Sequence, residues 1–356
     1  MKLTNQQFFC LMTAFLLGNV LSGIGGFSQG PKTGYLAVLV SYGIFLLFVA
    51  IYHIILKRNR YQGLFTIIKR YFSLRWQKVV FAVIATSAFL SALFSICNYT
   101  DFITFSTYQK TPIVPCLFFV LLLVLYLCLS REKAMGRYSE IVLPIVLFAI
   151  VSLCFYSIRQ WNIQNIKTEI SALSVLKQGT GLFFGPFSEM VFLYLLTDCL
   201  ESPKSITKIA VSSGAVVTII FSLVYLLNLS VLGEALMGIS RFPTFTAASV
   251  IQVGTIIEKA ETLITFSYSF CDILYSAVCL FVCQKSIGNL FPMKQKTKKI
   301  TACAAVIFIA VIWFILKNTV NTETLYPAVT FALLPLTTGL PIILFFYSKK
   351  GSRHSP

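Results

Sequence analysis

Glycine, proline and glutamate occur together in one apolar stretch of the sequence, the segment 179–190 with the sequence GTGLFFGPFSEM. Pro186 lacks a backbone N–H and its ring collides with the carbonyl four residues earlier, while Gly185 weakens a helix further. At membrane depth, freed N–H and C=O groups are tolerated only where they face protein, water or a ligand. The segment therefore predicts a broken helix beside a cavity, with Phe184 and Gly185 as ligand-binding candidates and Pro186 as a pathway or gating candidate.

A second glycine-rich segment lies in the first apolar stretch, and its residues are Ser22, Gly23, Ile24, Gly25 and Gly26. Unwinding at both segments would expose N–H groups where one half-helix starts and carbonyls where another ends. The first attract a carboxylate and the second an ammonium, so the pair suits a zwitterionic amino acid. Alternatively, these glycines only allow close helix packing. We favour the binding site because Pro186 has no packing rationale.

Glu189 is an ionisable residue one turn beyond Pro186, at about the middle of its apolar stretch. Such a group costs a few kcal/mol at mid-membrane depth unless it is paired or hydrated. It would bind the ammonium group of a ligand or carry a proton. The alternative is a neutral carboxyl hydrogen-bonded to the carbonyls that the proline frees.

A polar stripe runs along a later apolar stretch at helical spacing. Its members are Glu261, Thr265, Tyr268, Asp272 and Ser276. Steps of four and three residues place them on one helical face, which must point at the bundle interior or at water. The stripe predicts either the wall of a hydrated pathway or hydrogen bonding between helices.

A weaker polar face occurs in the third apolar stretch, where Ser87, Ser91 and Asn98 share one side and Asp101 follows one turn further. Small hydroxyl residues commonly join packed membrane helices, and that reading is favoured for this face. Asn98 is retained as a ligand-binding candidate.

The sequence contains no motif that predicts catalysis or metal binding. The sequence has no GxGxxG or Walker loop and no GxSxG elbow. Its ten cysteines are scattered through apolar runs and only two histidines, His53 and His354, accompany them. We therefore expect no catalysis, no metal site and no cofactor.

The elements that must position these residues are membrane helices, because 57% of the 356 residues are hydrophobic, 12% are charged and the mean hydropathy is +0.83. Windows of about 20 apolar residues, enough to cross the bilayer, can be placed ten times. The predicted spans are 5–26, 34–56, 79–107, 113–130, 139–158, 179–200, 208–232, 256–284, 300–317 and 326–347.

The basic residues set the predicted orientation. Most of the 29 lysines and arginines fall on the side of the membrane that holds both termini, so we expect cytoplasmic termini. The net charge of +17 is thus a topology signal and does not indicate nucleic-acid binding. The run from the N-terminus straight into a second span favours a retained first helix over a cleaved signal peptide.

Internal symmetry is predicted by the number of spans. Five precede the outer connection 159–178 and five follow it, so the halves 1–158 and 179–347 form an inverted repeat in one membrane domain, 1–356, with an inner tail at 348–356. Spans one and six then correspond, and both carry a predicted break. We also expect an amphipathic surface helix at 163–176 and an outer cover at 233–255.

Several segments carry a resemblance to a known family. They are LTNQQ at 3–7, GNVLSGIG at 18–25, YQGLF at 61–65, Glu189-Met190, Phe242-Pro243-Thr244 and GTIIEKAE at 254–261. With these, the chain resembles the endospore germination permeases, the B subunits of Ger-type nutrient germinant receptors, within the amino acid/polyamine/organocation superfamily. Gln62, Thr66 and Lys259 depart from the family's usual proline, glutamate and arginine.

The resemblance implies an all-α, LeuT-like bundle of ten helices in the inner spore membrane. It also implies a membrane A subunit and a lipoprotein C subunit as partners, and a small nutrient germinant, an amino acid in first place, as ligand. The leading hypothesis is thus a germinant-sensing subunit. The alternative is a proton-coupled secondary amino-acid transporter that uses Glu189, and a third is a scaffold or a water or ion conduit.

Overall fold

The architecture is entirely helical in the part of the chain that the structure, a computed structural model, describes. That part comprises residues 2–27, 34–106, 113–166, 172–251, 261–291, 295–316 and 329–351. One isolated pair, Leu3 with Leu200, makes the β-type contact seen there. The predicted all-α fold class is confirmed for these residues.

Most of the long helices follow the apolar windows of the sequence. The helices are α1 (Asn5–Phe27), α2 (Gly34–Arg58), α3 (Leu64–Tyr71), α4 (Leu74–Ser106), α5 (Ile113–Leu129), α6 (Arg131–Ser157), α7 (Ala172–Leu182), α8 (Met190–Leu195), α9 (Ile206–Ile239), α10 (Pro243–Val250), α11 (Glu261–Leu290), α12 (Gln295–Leu316) and α13 (Leu340–Gly351). A π-turn, Phe183–Phe187, joins α7 to the residues before α8, and a second one, Pro335–Gly339, precedes α13.

Six helical segments of the described chain are long and apolar enough to cross a membrane. Two shorter apolar helices, Ile113–Leu129 and Lys299–Ile315, accompany them. The chain is therefore an integral membrane protein, while the count of ten spans stays a prediction. The predicted starts of spans eight and ten and the tail beyond 351 lie outside the described residues.

Helix α11 lies at the centre of the bundle. It packs against α1, α4, α5 and α6, and 78% of its most apolar window is buried. Tyr268, Asp272 and Ser276 of the polar stripe are buried at 2%, 1% and 0% exposure. This part of the stripe faces the bundle interior, as polar groups in a membrane helix must.

The sixth predicted span is broken where the sequence predicts. Helix α7 ends at Leu182, α8 begins at Met190, and Gly185 between them has non-helical backbone angles of φ −79° and ψ −110°. The break follows from Pro186, which cannot donate to the carbonyl of Leu182.

The predicted break in the first span is wrong for this conformation. Helix α1 continues as a regular helix through Ser22, Gly23, Ile24, Gly25 and Gly26 and ends at Phe27. Glycine costs about 1 kcal/mol per residue in a helix, whereas each backbone group left unpaired in hydrocarbon costs several. Glycine retains its N–H, so the helical hydrogen bonds outweigh the propensity loss.

The two connections that the sequence predicts to be outer differ in how closely the structure matches the prediction. No single helix covers 163–176, because Ile163–Asn165 is a short 3-10 turn, α7 begins at Ala172, and 167–171 lies outside the described residues. The Asn162 side chain accepts from the Gln164 N–H at 3.0 Å, which favours a turn there. In the second connection, 233–255, α10 packs on α9, α11 and α1, while 252–255 lies outside the described residues.

Candidate functional site

Ser188 satisfies three backbone carbonyls at the break in span six. The Ser188 N–H donates to the Phe183 carbonyl at 2.8 Å. The Ser188 hydroxyl is placed to donate to the carbonyls of Phe184, at 2.9 Å, and Gly185, at 3.1 Å. The Ser188 hydroxyl therefore makes the hydrogen bonds to these carbonyls that a neutral Glu189 carboxyl was one candidate to make.

Aromatic packing fixes the turn against α2. Phe183 stacks on Phe48 with ring centroids 5.0 Å apart, and Phe187 lies 5.3 Å from Phe45. Phe183 and Phe187 are buried, while Phe184 is half-buried. These contacts hold the turn against α2, and Phe184 is the aromatic residue of the turn that retains exposed surface.

Glu189 follows the turn and points into the bundle. Its side chain is 4% exposed, and its two oxygens accept from Ser91 of α4 at 3.3 Å and from Tyr275 of α11 at 2.5 Å. Phe15 of α1 stacks on Tyr275 at 4.8 Å. One carboxyl therefore joins span six to α4 and α11, with α1 as the neighbouring wall.

Asp272 lies about one turn before Tyr275 on α11. Its Oδ1 accepts from the Ser95 hydroxyl at 2.5 Å, and Ser95 also contacts the Ser276 hydroxyl at 2.8 Å. Its Oδ2 is buried and has no hydrogen-bond partner among the described residues. This is the carboxyl that the fold buries with the fewest donors.

Two more contacts extend this interface outward. Asn98 donates to the Tyr268 hydroxyl at 3.1 Å, and beyond it Arg241 forms an ion pair with Asp101 at 2.6 Å. We use the name polar seam for the interface residues Ser91, Ser95, Asn98, Tyr268, Asp272, Tyr275, Ser276 and Glu189. The seam shows interhelical hydrogen bonding, one of the two readings of the stripe, and joins Asn98, Tyr268, Asp272 and Glu189.

The register of α1 against α11 separates the first glycine segment from Glu189. Phe15 lies beside Tyr275, and a Cβ on Gly18 would lie 2.9 Å from the Cys271 carbonyl oxygen. Ser22 follows Phe15 by seven residues, about 10 Å along a helix. Residues 22–26 therefore lie level with the outer end of the seam, and α1 would have to open there to share a ligand with span six.

A cleft, here called the outer cleft after the predicted orientation, occupies that level. It is partly open to solvent and is lined by Leu21, Phe102, Phe242, Pro243, Thr244, Phe245, Ile264 and Tyr268. Asn228 of α9 donates to the Thr244 hydroxyl at 3.0 Å, which fixes α10 over the cleft. Its lining is mainly aromatic and aliphatic, with Thr244 and Tyr268 as polar groups.

Glu261 and Thr265 do not join the seam. The Thr265 hydroxyl donates to the Glu261 carbonyl of its own helix at 3.0 Å, and both residues are half-buried near the start of α11. Ser95 and Tyr275 are functional candidates that the sequence reasoning missed. Ser95 continues the four-residue steps from Ser87, and Tyr275 lies three residues after Asp272, so the spacing held a signal for both.

The opposite end of the bundle is tied by the N-terminus. The Leu3 N–H donates to the Cys199 carbonyl at 2.7 Å, and the Leu3 carbonyl accepts from Glu201 at 2.9 Å. The Cys199 thiol lies 3.3 Å from the Lys285 ammonium and 3.4 Å from Glu132. In the described part of the chain, no three His, Cys, Asp or Glu side chains group as metal ligands.

Family membership follows from comparison with known proteins. A family model described as spore germination protein, the spore permeases, matches residues 2–322. The chain belongs to the spore permease family. No curated protein matches the chain.

Solved structures similar to this spore permease include membrane transporters. They include a manganese transporter mutant from Eremococcus coleocola, at 14% identity and TM-score 0.59, covering 96% of this chain and 75% of that one. A Na⁺-coupled sialic acid symporter in an outward-open state has 12% identity and TM-score 0.65, covering 98% and 87%. MhsT in complex with L-phenylalanine has 16% identity and TM-score 0.59, covering 93% and 87%. At these identities the likeness shows the shared LeuT-type fold alone.

Proposed function

We propose that this spore permease is the B subunit of a nutrient germinant receptor, which binds a small nutrient, an amino acid in first place, inside the bundle. The observation that carries the proposal is Glu189, a buried carboxyl directly after a helix break, which is hydrogen-bonded to both α4 and α11. In a chain of the spore permease family, such a carboxyl suits the ammonium group of an amino acid.

The proposed ligand site extends from Glu189, Gly185 and Phe184 to Asn98 and the segment 22–26. In the described conformation α1 is helical at 22–26. Three glycines there make this turn about 3 kcal/mol easier to unwind than alanines would. A ligand whose carboxylate binds the freed N–H groups would favour the opened state, and this differential affinity is the sensing step.

The proposed partners are the receptor's A subunit and its lipoprotein C subunit, in the inner spore membrane with both termini on the core side. A shift of α1 relative to α11 would be transmitted to these two subunits through the end of the bundle that holds Leu3, Cys199 and Lys285. Support for these partners is the family membership, and a copurification from spores tests it directly.

A germination screen tests the function. Spores that lack the gene would be complemented with the wild type, Glu189→Gln or Glu201→Gln and exposed to single amino acids and sugars. Glu201 is an exposed carboxyl outside the seam and is the matched control. We expect the wild type and the control to restore the response to at least one amino acid, and Glu189→Gln to need at least about tenfold more of it, since losing one charged contact costs about 1.5–3 kcal/mol. A wild-type gene that restores no nutrient response contradicts the proposal.

A second pair of variants tests the site on α1. Gly25→Leu would place a bulky side chain where the backbone is proposed to meet the ligand. Gly43→Leu is the control, because a Cβ there meets no atom within 4 Å. We expect the first to abolish the response with normal membrane insertion and the second to retain it. An unchanged dose response in Gly25→Leu removes segment 22–26 from the site.

A proton-coupled amino-acid transporter is the second candidate, and the observation that favours it is the transporter fold with two buried carboxyls, Glu189 and Asp272. Uptake of labelled amino acid into proteoliposomes under a proton gradient separates the two. A carrier accumulates the label over many turnovers, whereas a receptor binds it without turnover.

A further inference from the structure

Asp272 and Glu189 are both buried carboxyls of the polar seam, but their surroundings differ. Glu189 uses both oxygens, on Ser91 and Tyr275. Asp272 is 1% exposed and uses one, because its Oδ1 accepts from Ser95 while its Oδ2 has no partner in the described chain. An ionised carboxylate offers about four acceptor positions, so this site meets only a small part of its needs.

No positive charge compensates Asp272 among the described residues. Arg241, which acts electrostatically on Tyr268 of the seam, forms its ion pair with Asp101. The titratable groups around Asp272 are neutral hydroxyls and thiols. They are Tyr138 on α6, and Tyr268, Cys271 and Cys279 on α11. On α1, Gly18 lies against Cys271, the residue next to Asp272, and brings no side chain.

A buried, unpaired carboxylate with a single donor is costly, and neutralisation by a proton removes most of that cost. We propose that Asp272 is a proton-binding site, occupied in the conformation described here and emptied when the seam opens to water. The proton comes from water and returns to it, so the step needs no other reactant. Only the coupling of this proton to the nutrient rests on the proposed function.

A metal ion fits the same place poorly. The oxygens gathered at Asp272 are its own, that of Ser95 and that of Ser276. Hard cations such as Ca²⁺ and Mg²⁺ take six or more oxygen ligands in proteins. A proton needs one acceptor atom, and the free Oδ2 provides it.

The contact between Tyr268 and Asn98, next to Asp272 in the seam, determines the route of the proton. Tyr268 lies one turn outward from Asp272, bonds Asn98, and also lines the outer cleft. One turn is about 5 Å, so a movement of the Tyr268 ring is sufficient to bring cleft water next to Asp272. The proton is therefore exchanged with the side of the membrane that α10 covers, while Glu189 acts as a hydrogen-bonded joint.

Infrared spectroscopy on the full-length protein in lipid nanodiscs tests this assignment without any nutrient. A protonated carboxyl gives a carbonyl-stretch band that shifts in D₂O and disappears on deprotonation. We expect the wild type at neutral pH to show such a band, which bleaches at alkaline pH. Asp272→Asn should lose it, Asp272→Glu should shift it, and Glu201→Gln, which removes an exposed carboxyl, should leave it unchanged.

Ser95→Ala provides a second variant in case Asp272→Asn fails to fold. Removing the hydroxyl that donates to Oδ1 keeps the proton site but changes the band's frequency. A band that survives in Asp272→Asn and is unmoved in Ser95→Ala overturns the proposal. So does a wild-type Asp272 that is ionised at neutral pH and whose spectrum responds to NaCl. Failure of the proposed function shows up elsewhere, as a gene that does not restore germination while the band remains.

Discussion

Helix α1 and the α7–α8 pair both carry glycines within apolar, membrane-type sequence, and they fold differently there. Segment 22–26 has three glycines and stays helical, whereas one glycine followed by Pro186 opens the chain at 183–187. Glycine keeps its N–H and loses about 1 kcal/mol, while proline removes a hydrogen bond, adds a clash and costs about 3 kcal/mol or more. Loss of the donor, more than flexibility, decides which segment breaks.

The two segments also differ in the contacts that stabilise their backbone conformation. The span-six break is stabilised by Ser188, which bonds the freed carbonyls, and by Phe183 and Phe187 packed on α2. It is therefore present before any ligand arrives. Segment 22–26 is a helix that is easy to open. A site made from both would have one half preformed and one half induced, and a ligand would change α1 in particular.

The largest effect is expected from restoring the missing donor. Pro186→Ala supplies an N–H that can bond the Leu182 carbonyl, so the turn should close into a helix and move Glu189 off Ser91 and Tyr275. Loss of two hydrogen bonds to a buried carboxyl costs about 3 kcal/mol, and germination sensitivity should fall by about a hundredfold. Dose responses of complemented spores measure this.

Pro144→Ala is the control for that substitution. Pro144 lies inside α6, where the helix continues through it. Its replacement should leave the response within about twofold of the wild type, since no site residue depends on it. Equal effects of the two variants would show that proline content, and not the break, matters.

A smaller effect is expected from Tyr275→Phe. It removes the phenol that donates to Glu189 and keeps the ring that stacks on Phe15. A buried acceptor left with one donor fewer costs about 1–3 kcal/mol. We expect a lower melting temperature in nanodiscs and a weaker nutrient response. Tyr126→Phe on the lipid-facing side of α5, where the side chain is 66% exposed, should change neither.

The sequence predicted the elements better than the contacts between them. Apolar windows located the helices, and Pro186 located the break, because both depend on local chemistry. The partners of Glu189 depend on the relative register of α4, α11 and span six, which no local pattern specifies. Ser95 and Tyr275 illustrate this. Their spacing places them on the faces that form the seam, but their hydrogen bonds to Asp272 and Glu189 depend on α4 and α11 packing side by side.

At segment 22–26 the sequence predicted a helix break that the structure does not have. Its glycines suggested a break because a matching break was expected from the inverted repeat. The balance between glycine propensity and backbone hydrogen bonds is only a few kcal/mol, and the sequence alone does not give the second term. The repeat itself, the ten spans and the ligand residues remain predictions.

Gly25→Ala tests the comparison between segment 22–26 and the span-six break with a smaller expected effect on the nutrient response. Alanine stabilises the helical state of α1 by about 1 kcal/mol, so a site that needs α1 to open should require about fivefold more nutrient. Gly18→Ala is the contrasting variant, because its Cβ would approach the Cys271 carbonyl oxygen to 2.9 Å and should lower thermal stability directly. An unchanged dose response in Gly25→Ala, with normal stability, would mean that α1 stays closed during sensing.

The smallest effect is expected at the ion pair between Arg241 and Asp101, which lies outside both segments. Their side chains are 35% and 34% exposed, and pairs of this kind contribute about 0–1 kcal/mol. Arg241→Gln should therefore shift the melting temperature only slightly, and the shift should shrink at high salt because screening already weakens the pair. If this variant instead lowers the nutrient response as strongly as Pro186→Ala does, then closure of α10 over the cleft, and not the span-six break, controls sensing.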